Sequence, residues 1–287
     1  VRLVTFEAGR GARVGVLLDG GSTVVDIAAS VSGAPSTMIG LLAAGEAGLE
    51  MAQAAASAPT RMRMPRADVT LLAPIPRPGK IVCVGYNYQG HGGDGPVAPE
   101  FPEIFVKTSN VVVGPEDVTV LPAVSTQVDY EGEMAIVIGA TAQNVSRVDA
   151  RGYIAGYTVF NDVSARDIQK RGTQWVLGKS FDTFGPMGPA IVTHDEVGEP
   201  HAQTVTVACN GETTVRASTA DMIFTVEFLV SYLSSVMTLE PGDIIATGTP
   251  GKLPEAGAQN RFLAPGDVVT VTFDRIGTLS TTFVAEP

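Results

Sequence analysis

Cysteine, tryptophan and histidine are scarce in this chain of 287 residues, which has two, one and three of them. Two thiols, Cys83 and Cys209, are too few for a zinc–thiolate centre. Both lie in apolar, strand-like runs, where a free cysteine serves as a small core residue rather than half of a disulfide. A reducing compartment, the cytoplasm, is the simplest setting for such usage. Basic residues are also in deficit: 19 Lys and Arg against 30 Asp and Glu leave a net charge of −11. That balance argues against nucleic acid and anionic membranes as partners, because both require a cationic footprint. No apolar run reaches the roughly 18 residues of a membrane span. No basic-then-apolar stretch of secretory type opens the sequence. What is present, 45% hydrophobic and 17% charged residues, is the composition of a globular protein with a large core.

The first 28 residues alternate and turn, with Asp19-Gly20-Gly21 between two apolar runs as a hairpin signal. Ser36 or Thr37 is placed to cap a helix in which Met38, Leu41, Leu42, Leu49 and Met51 recur at helical spacing. Residues 57–67 read as a linker, Val69 to Leu72 as a short strand, and Pro74, Pro76 and Pro78 as a stiff connector. A boundary near residue 75 therefore separates a small N-terminal domain, 1–75, from a larger one, 76–287. The larger part is strand-rich. Runs 80–84, 105–107, 118–121, 133–138, 152–161, 190–193, 204–209, 243–247 and 267–273 all have strand character, and Thr219 to Met237 reads as the clearest helix. Many strands without regular βαβ alternation predict an α+β, mostly β protein with antiparallel or mixed sheets.

The stretch Asp129-Tyr130-Glu131-Gly132-Glu133 is the centre of the sequence. On a strand, Glu131 and Glu133 face the same way, with Cβ atoms roughly 6–7 Å apart. Two carboxylates beside a buried apolar run need a basic side chain or a divalent cation to neutralise them, unless the face is simply solvated. Asp162, where another strand ends, makes a third carboxylate; an Asx turn or helix cap is its alternative use. Three carboxylates suit Mg²⁺ or Mn²⁺, with Ca²⁺ a further oxygen-seeking ion.

Other stretches add candidate chemistry. Gly85-Tyr86-Asn87-Tyr88-Gln89-Gly90-His91-Gly92-Gly93-Asp94 runs from a strand into a glycine-rich loop of lid type. In it, His91 with Asp94 could act as a base and its orienting partner, or be merely solvated. His194 and His201 flank a turn-like stretch and read as surface residues. Lys107 ends the apolar run Ile104-Phe105-Val106 and Lys179 lies within Leu177-Gly178-Lys179-Ser180-Phe181-Asp182; each either snorkels outward or holds a substrate oxyanion. The backbone of Thr247-Gly248-Thr249-Pro250 could receive a carboxylate or be an ordinary turn. Gly178-Lys179-Ser180 lacks the upstream glycine of a nucleotide-binding loop, since Thr173 stands there.

Taken in order, these stretches resemble the fumarylacetoacetate hydrolase family, in its bacterial acylpyruvate hydrolase and oxaloacetate decarboxylase-like branch. The resemblance covers roughly residues 78–285. It rests on Gly85-Tyr86-Asn87-Tyr88 with His91, Phe105-Val106-Lys107, Asp129-Tyr130-Glu131-Gly132-Glu133, and Asn161 to Asp167 with Gln169. Gly178 to Asp182, Asn210-Gly211-Glu212, Pro241-Gly242-Asp243 and Thr247 to Pro250 complete it. The N-terminal part resembles the small extra domain that many members carry.

The resemblance implies a mixed β-sandwich roll, usually a homodimer, with Mg²⁺ or Mn²⁺ on Glu131, Glu133 and Asp162. It implies that Tyr88, Lys107, Arg166, Gln169, Lys179 and Thr249 face a small 2-oxo acid. It further implies that His91 and Asp94 activate water, Asp94 standing where hydrolytic members carry glutamate. Gly251-Lys252-Leu253 departs from the family's glycine-rich continuation after Pro250. The expected activity is metal-dependent hydrolysis of a C–C bond in an acylpyruvate or related β-diketo acid, of the kind met in aromatic catabolism, with a pyruvate enolate as leaving group. Oxaloacetate decarboxylation passes through the same enolate and is the alternative, with isomerase or dehydratase chemistry behind it. Non-catalytic keto-acid binding is the reading from another class.

Overall fold

Every residue from Gly132 to Ile138 is buried, and this strand is the axis of the fold. It pairs antiparallel with Ile154–Asn161 on one side and with Ile244–Ala246 on the other. A strand covered on both faces reads as a continuous apolar run, which is why Met134 to Ile138 shows no alternation. The computed structural model describes all residues except 10, 58, 60–62, 90–98 and 257–260.

Among the described residues the strands form a mixed sheet of twelve and a second sheet of five, with one further two-stranded pair. Glu103–Lys107 ends the path of the large sheet, beside Ile81–Gly85, which runs parallel to Ile244–Ala246. The five-stranded sheet runs Glu212–Ser218, Thr204–Cys209, Val268–Phe273, Gly277–Ala285, Val118–Leu121. The protein is α+β and mostly β. The N-terminal strands join the same large sheet, since Arg2 and Leu3 pair with Val192 and Ile191 of Gly185–Thr193. The 19–21 turn links Ala12–Leu18 to Thr23–Asp26 as an antiparallel pair. Thr37, not Ser36, caps the helix Met38–Ala43, accepting the Gly40 N–H.

Several elements differ from the sequence reading, each for a local reason. The helix expected over 219–237 is shorter. A 3-10 turn at Thr219–Asp221, closed by a Ser218–Asp221 capping box, is followed by extended residues, and the helix proper is Val226–Val236. Thr225 stops it from starting earlier by accepting the Phe228 N–H as N-cap. The backbone N–H groups of Ile223 and Phe224 are meanwhile held by Asn87. Within the expected linker, Arg63–Pro65 pairs with Thr23–Asp26. Glu212–Ser218 and Gly277–Ala285 are strands that the sequence reading passed over; polar residues hold their exposed positions, Glu212, Thr213 and Arg216 in the first and Thr278, Ser280 and Thr282 in the second. His194 and His201 are half-buried rather than superficial. The His194 ring lies 3.2 Å from the Tyr157 hydroxyl, and His201 Nε2 accepts the Val226 N–H at the start of the helix.

The two sheets meet behind the central motif. A Cβ on Gly132 would lie 2.6 Å from Val207 Cγ2 and 2.8 Å from Val271 Cγ1, both on the five-stranded sheet. Glycine therefore lets the segment carrying Glu131 and Glu133 seat directly against the second sheet. Gly132→Val is expected to cost about 1–3 kcal/mol by overpacking, read as a lower urea midpoint. A change within about 0.5 kcal/mol, the range of ordinary surface substitutions, would contradict this packing role.

Candidate metal centre and substrate cleft

The register of two strands creates the site. Gly132 pairs with Asn161, so the residues just beyond the ladder, Glu131 and Asp162, also stand opposite each other. The Asp162 N–H donates to the Glu131 carbonyl at 2.9 Å, and the Glu131 N–H donates to Asn161 Oδ1 at 3.2 Å. Glu133, two residues along, completes the group. One carboxylate oxygen from each of Glu131, Glu133 and Asp162 lies within 4.8 Å of the others.

Cations surround this group unevenly. Lys107 Nζ donates to Asp162 Oδ1 at 2.5 Å and to the Val163 carbonyl at 3.0 Å. Lys179 Nζ bridges Asp162 Oδ2 and Glu131 Oε2, both at 2.6 Å. Arg166 Nη2 reaches Glu131 Oε1 at 2.7 Å and Asp129 Oδ2 at 2.8 Å, while its Nη1 donates to Gln169 Oε1 at 3.2 Å. Lys252 pairs with the other oxygen of Asp129 and lies 4.1 Å from the centroid of the Tyr130 ring. Among the described residues Glu133 has no basic partner; its one hydrogen bond comes from the Gly248 N–H, at 2.9 Å to Oε2.

The titration behaviour follows this geometry. Burial raises the Glu133 carboxyl well above its ordinary value, and the charges of Asp162 and Glu131 raise it further. Burial pushes Glu131 the same way, but Arg166 and Lys179 outweigh it and hold Glu131 below its ordinary value. Burial lowers Lys107, with Asp162 opposing. Burial would also lower Lys179, yet Asp162 and Glu131 together raise it. A buried carboxyl with no salt-bridge partner among the described residues, beside two other carboxylates, is a donor set that could hold a hard divalent cation. Carboxylate oxygens already accepting from lysine or arginine keep lone pairs for such an ion.

A cleft of about 540 Å³ opens on this cluster. Glu131, Glu133, Arg166, Gln169, Lys179 and Thr249 line it. Lys107 does not; fully buried, it holds Asp162 from behind. Tyr88 is placed in the core, its hydroxyl without a partner among the described residues, and the cleft tyrosine is its neighbour Tyr86. His91 and Asp94 lie outside the described residues. The Thr247–Pro250 segment does receive a carboxylate, that of Glu133. Asn87 fixes the segment by donating to the Thr247 carbonyl at 2.8 Å. Sequence reasoning missed Lys252 and Trp175 as site residues. Their signals were the departure after Pro250 and the uniqueness of the tryptophan.

The charge of Glu133 yields a prediction with a definite sign. Its folded pKa lies above the ordinary value of 4.5, so the folded state favours the protonated acid. The destabilisation sets in as pH rises past 4.5, where the unfolded chain ionises first. Glu133→Gln should therefore raise the Tm of metal-free protein at pH 7, with the difference shrinking at and below pH 4.5. It should also reduce the further rise that Mn²⁺ gives the wild type by scanning calorimetry. A variant less stable than wild type without metal, or equally stabilised by Mn²⁺, would contradict this assignment.

Comparison with known proteins agrees with this cluster of motifs. The family profile described as fumarylacetoacetate (FAA) hydrolase, C-terminal, matches residues 80–284. The rat (Rattus norvegicus) protein named oxaloacetate tautomerase Fahd2a, mitochondrial, is 42% identical over 283 residues, 97% of this chain and 90% of that one. The crystal structure of maleylpyruvate hydrolase from Sphingobium sp. SYK-6, in complex with manganese(II) and pyruvate, superposes with a TM-score of 0.83 at 33% identity. The match covers all of both chains. That of 5-carboxymethyl-2-hydroxymuconate delta-isomerase from Mycobacterium smegmatis gives 0.80 at 34%, again over both whole chains. With the profile matching residues 80–284 of its 287 and a relative 42% identical over nearly its whole length, the chain belongs to the fumarylacetoacetate hydrolase family of enzymes.

Proposed function

We infer that this protein interconverts the enol and keto forms of oxaloacetate or a closely related 2-oxo dicarboxylic acid, with a divalent ion as cofactor. Support comes first from charge. Asp129, Glu131, Glu133 and Asp162 are balanced by Lys107, Arg166, Lys179 and Lys252. A divalent ion added to this set, with the exposed Lys170 also lining the cleft, leaves the site net positive, which favours an anionic acid as ligand. The 42% identity to a named oxaloacetate tautomerase, over nearly the whole chain, supports the same reading.

Tautomerisation moves one proton between O2 and C3 and leaves the carbon skeleton whole. Negative charge spread over O2 and C3 is the feature to be stabilised. A Mg²⁺ or Mn²⁺ ion held by Glu131, Glu133 and Asp162 would supply Lewis-acid polarisation of the 2-oxo group. Lys179, kept charged by its two carboxylates and facing the cleft, stabilises an adjacent oxyanion. Arg166 and Gln169, tied to each other, orient the substrate carboxylate, and Thr249 lines the same space. Lys107 fixes the carboxylate of Asp162 and thereby the spacing of the trio.

Hydrolysis of a C–C bond, which the sequence reading put first, remains the second reading. The full-length likeness to maleylpyruvate hydrolase favours it. It needs an activated water, which would fall to His91 and Asp94. A homodimer belongs to the proposal and is read by light scattering. The compartment is proposed as a reducing one, since Cys83 and Cys209 are both free and buried. The cytoplasm and the mitochondrial interior both fit, and the rat relative's name gives mitochondria for that protein. No helix among the described residues is long and apolar enough to cross a membrane.

The two readings separate in one assay. Enol-oxaloacetate, followed by its ultraviolet absorbance, should convert to the keto form faster with protein and Mn²⁺, and lose that acceleration with EDTA. Lys179→Met should lower kcat about 100-fold, the effect typical of losing an oxyanion-stabilising donor. Absent acceleration, together with cleavage of acetylpyruvate to acetate and pyruvate, would replace the tautomerase reading with the hydrolase one. Carbon dioxide released from oxaloacetate would point to decarboxylation.

A further inference from the structure

One wall of the cleft is aromatic. Tyr86, Phe105, Trp175 and Phe262 line the same space as Glu131, Arg166 and Lys179. The Trp175 ring meets Tyr86 and Phe105 edge-on, with centroids 5.7 Å and 5.2 Å away. A Cβ on Gly85 would come within 2.8 Å of the Trp175 ring, so glycine makes room for the indole there. Tyr86 is held at φ 54°, a left-handed conformation that bulky residues rarely adopt and that concentrates at functional sites. The cleft stays open to water at two of these rings: Tyr86 is 48% and Phe262 37% exposed. Lys179 Nζ lies 4.9 Å from the Phe105 ring centroid, so the charged and aromatic halves meet at the residue that faces the reacting oxygen.

Oxaloacetate carries a carboxylate at each end and has no apolar face to lay on these rings. The cleft volume falls in the range of sites that hold considerably larger ligands. We propose that the cleft is bipartite, and that the protein also takes 2-oxo acids whose C3 bears a flat aryl group, the arylpyruvates, as substrates for the same enol–keto interconversion. The charged half holds the 2-oxo acid head, and the aromatic wall holds the aryl group by edge and face contacts. This rests on the tautomerase reading of the charged half. The step balances without any co-reactant. The enol O–H bond breaks and its proton goes to solvent; its electron pair forms the C2=O π bond, while the C2=C3 π bond breaks and its pair forms the new C3–H bond with a proton taken from solvent. Nothing is oxidised or reduced.

Phenylpyruvate is the probe, titrated by calorimetry into Mn²⁺-loaded protein beside pyruvate, which shares the head and lacks the ring. Trp175 is the chain's one tryptophan, so its fluorescence locates the bound ring directly. Phenylpyruvate is expected to bind about tenfold tighter than pyruvate. It should perturb Trp175 emission, and its enol should decay faster with protein. Trp175→Ala should lower the ratio of phenylpyruvate to pyruvate affinity about tenfold, and Trp175→Phe, which keeps a ring, should recover most of it. Equal affinities for the two acids, or an equal loss of both in Trp175→Ala, would overturn the aromatic subsite while leaving oxaloacetate turnover to stand. If instead oxaloacetate is inert but phenylpyruvate binds in a Trp175-dependent way, the tautomerase reading fails and the aromatic half survives.

Discussion

Like charges held close together in a place with little water dominate this structure. Each pair of carboxylates among Glu131, Glu133 and Asp162, at separations up to 4.8 Å, repels by about 3 kcal/mol or more at an effective dielectric constant near 20. Desolvation adds to this cost, because Glu133 and Asp162 are almost wholly buried. The fold tolerates the arrangement because cations arrive from three directions. Lys107 comes from the edge strand of the large sheet, Lys179 from the short helix Val176–Lys179, and Arg166 from the short helix Arg166–Gln169. Glu133 alone is left to a backbone N–H, and that asymmetry makes the cluster a candidate cation site rather than a finished salt-bridge network.

The two lysines divide the work. Both pair with Asp162, one on each oxygen. Lys107 is tied down a second time by the Val163 carbonyl and is sealed off from the cleft, so its charge serves the architecture. Lys179 is buried along its stem yet opens on the cleft, where its charge can meet a substrate. Residues of one type thus acquire different roles from what lies on their far side. Behind both, close contact between the sheets at Gly132 keeps the acidic segment from relaxing away from its partners.

Much of this was legible in the sequence, and the reasons differ by residue. Glu131 and Glu133 could be paired because strand alternation is strict, and Asp162 could be joined to them because the ordered motifs fix which strand ends meet. A cap at Ser36 or Thr37 was recognisable from the helical spacing that follows, and the structure assigns it to Thr37. The late start of Val226–Val236 was not, because it depends on Thr225 and on Asn87, which is far away in sequence and claims the preceding backbone. Which of Tyr86 and Tyr88 faces the cleft was equally hidden. The left-handed turn at Tyr86 inverts the alternation that a strand running through Gly85 would suggest. Lys252 stood out only as a departure from a pattern; its pairing with Asp129 is a tertiary contact that spacing could not supply.

The claim on which the rest depends is that Glu131, Glu133 and Asp162 together hold one divalent ion. Anomalous diffraction from crystals grown with Mn²⁺ tests it most directly. The account predicts a single strong peak bounded by oxygens of these three side chains. A peak elsewhere with this cluster empty, or none at saturating Mn²⁺, would contradict it.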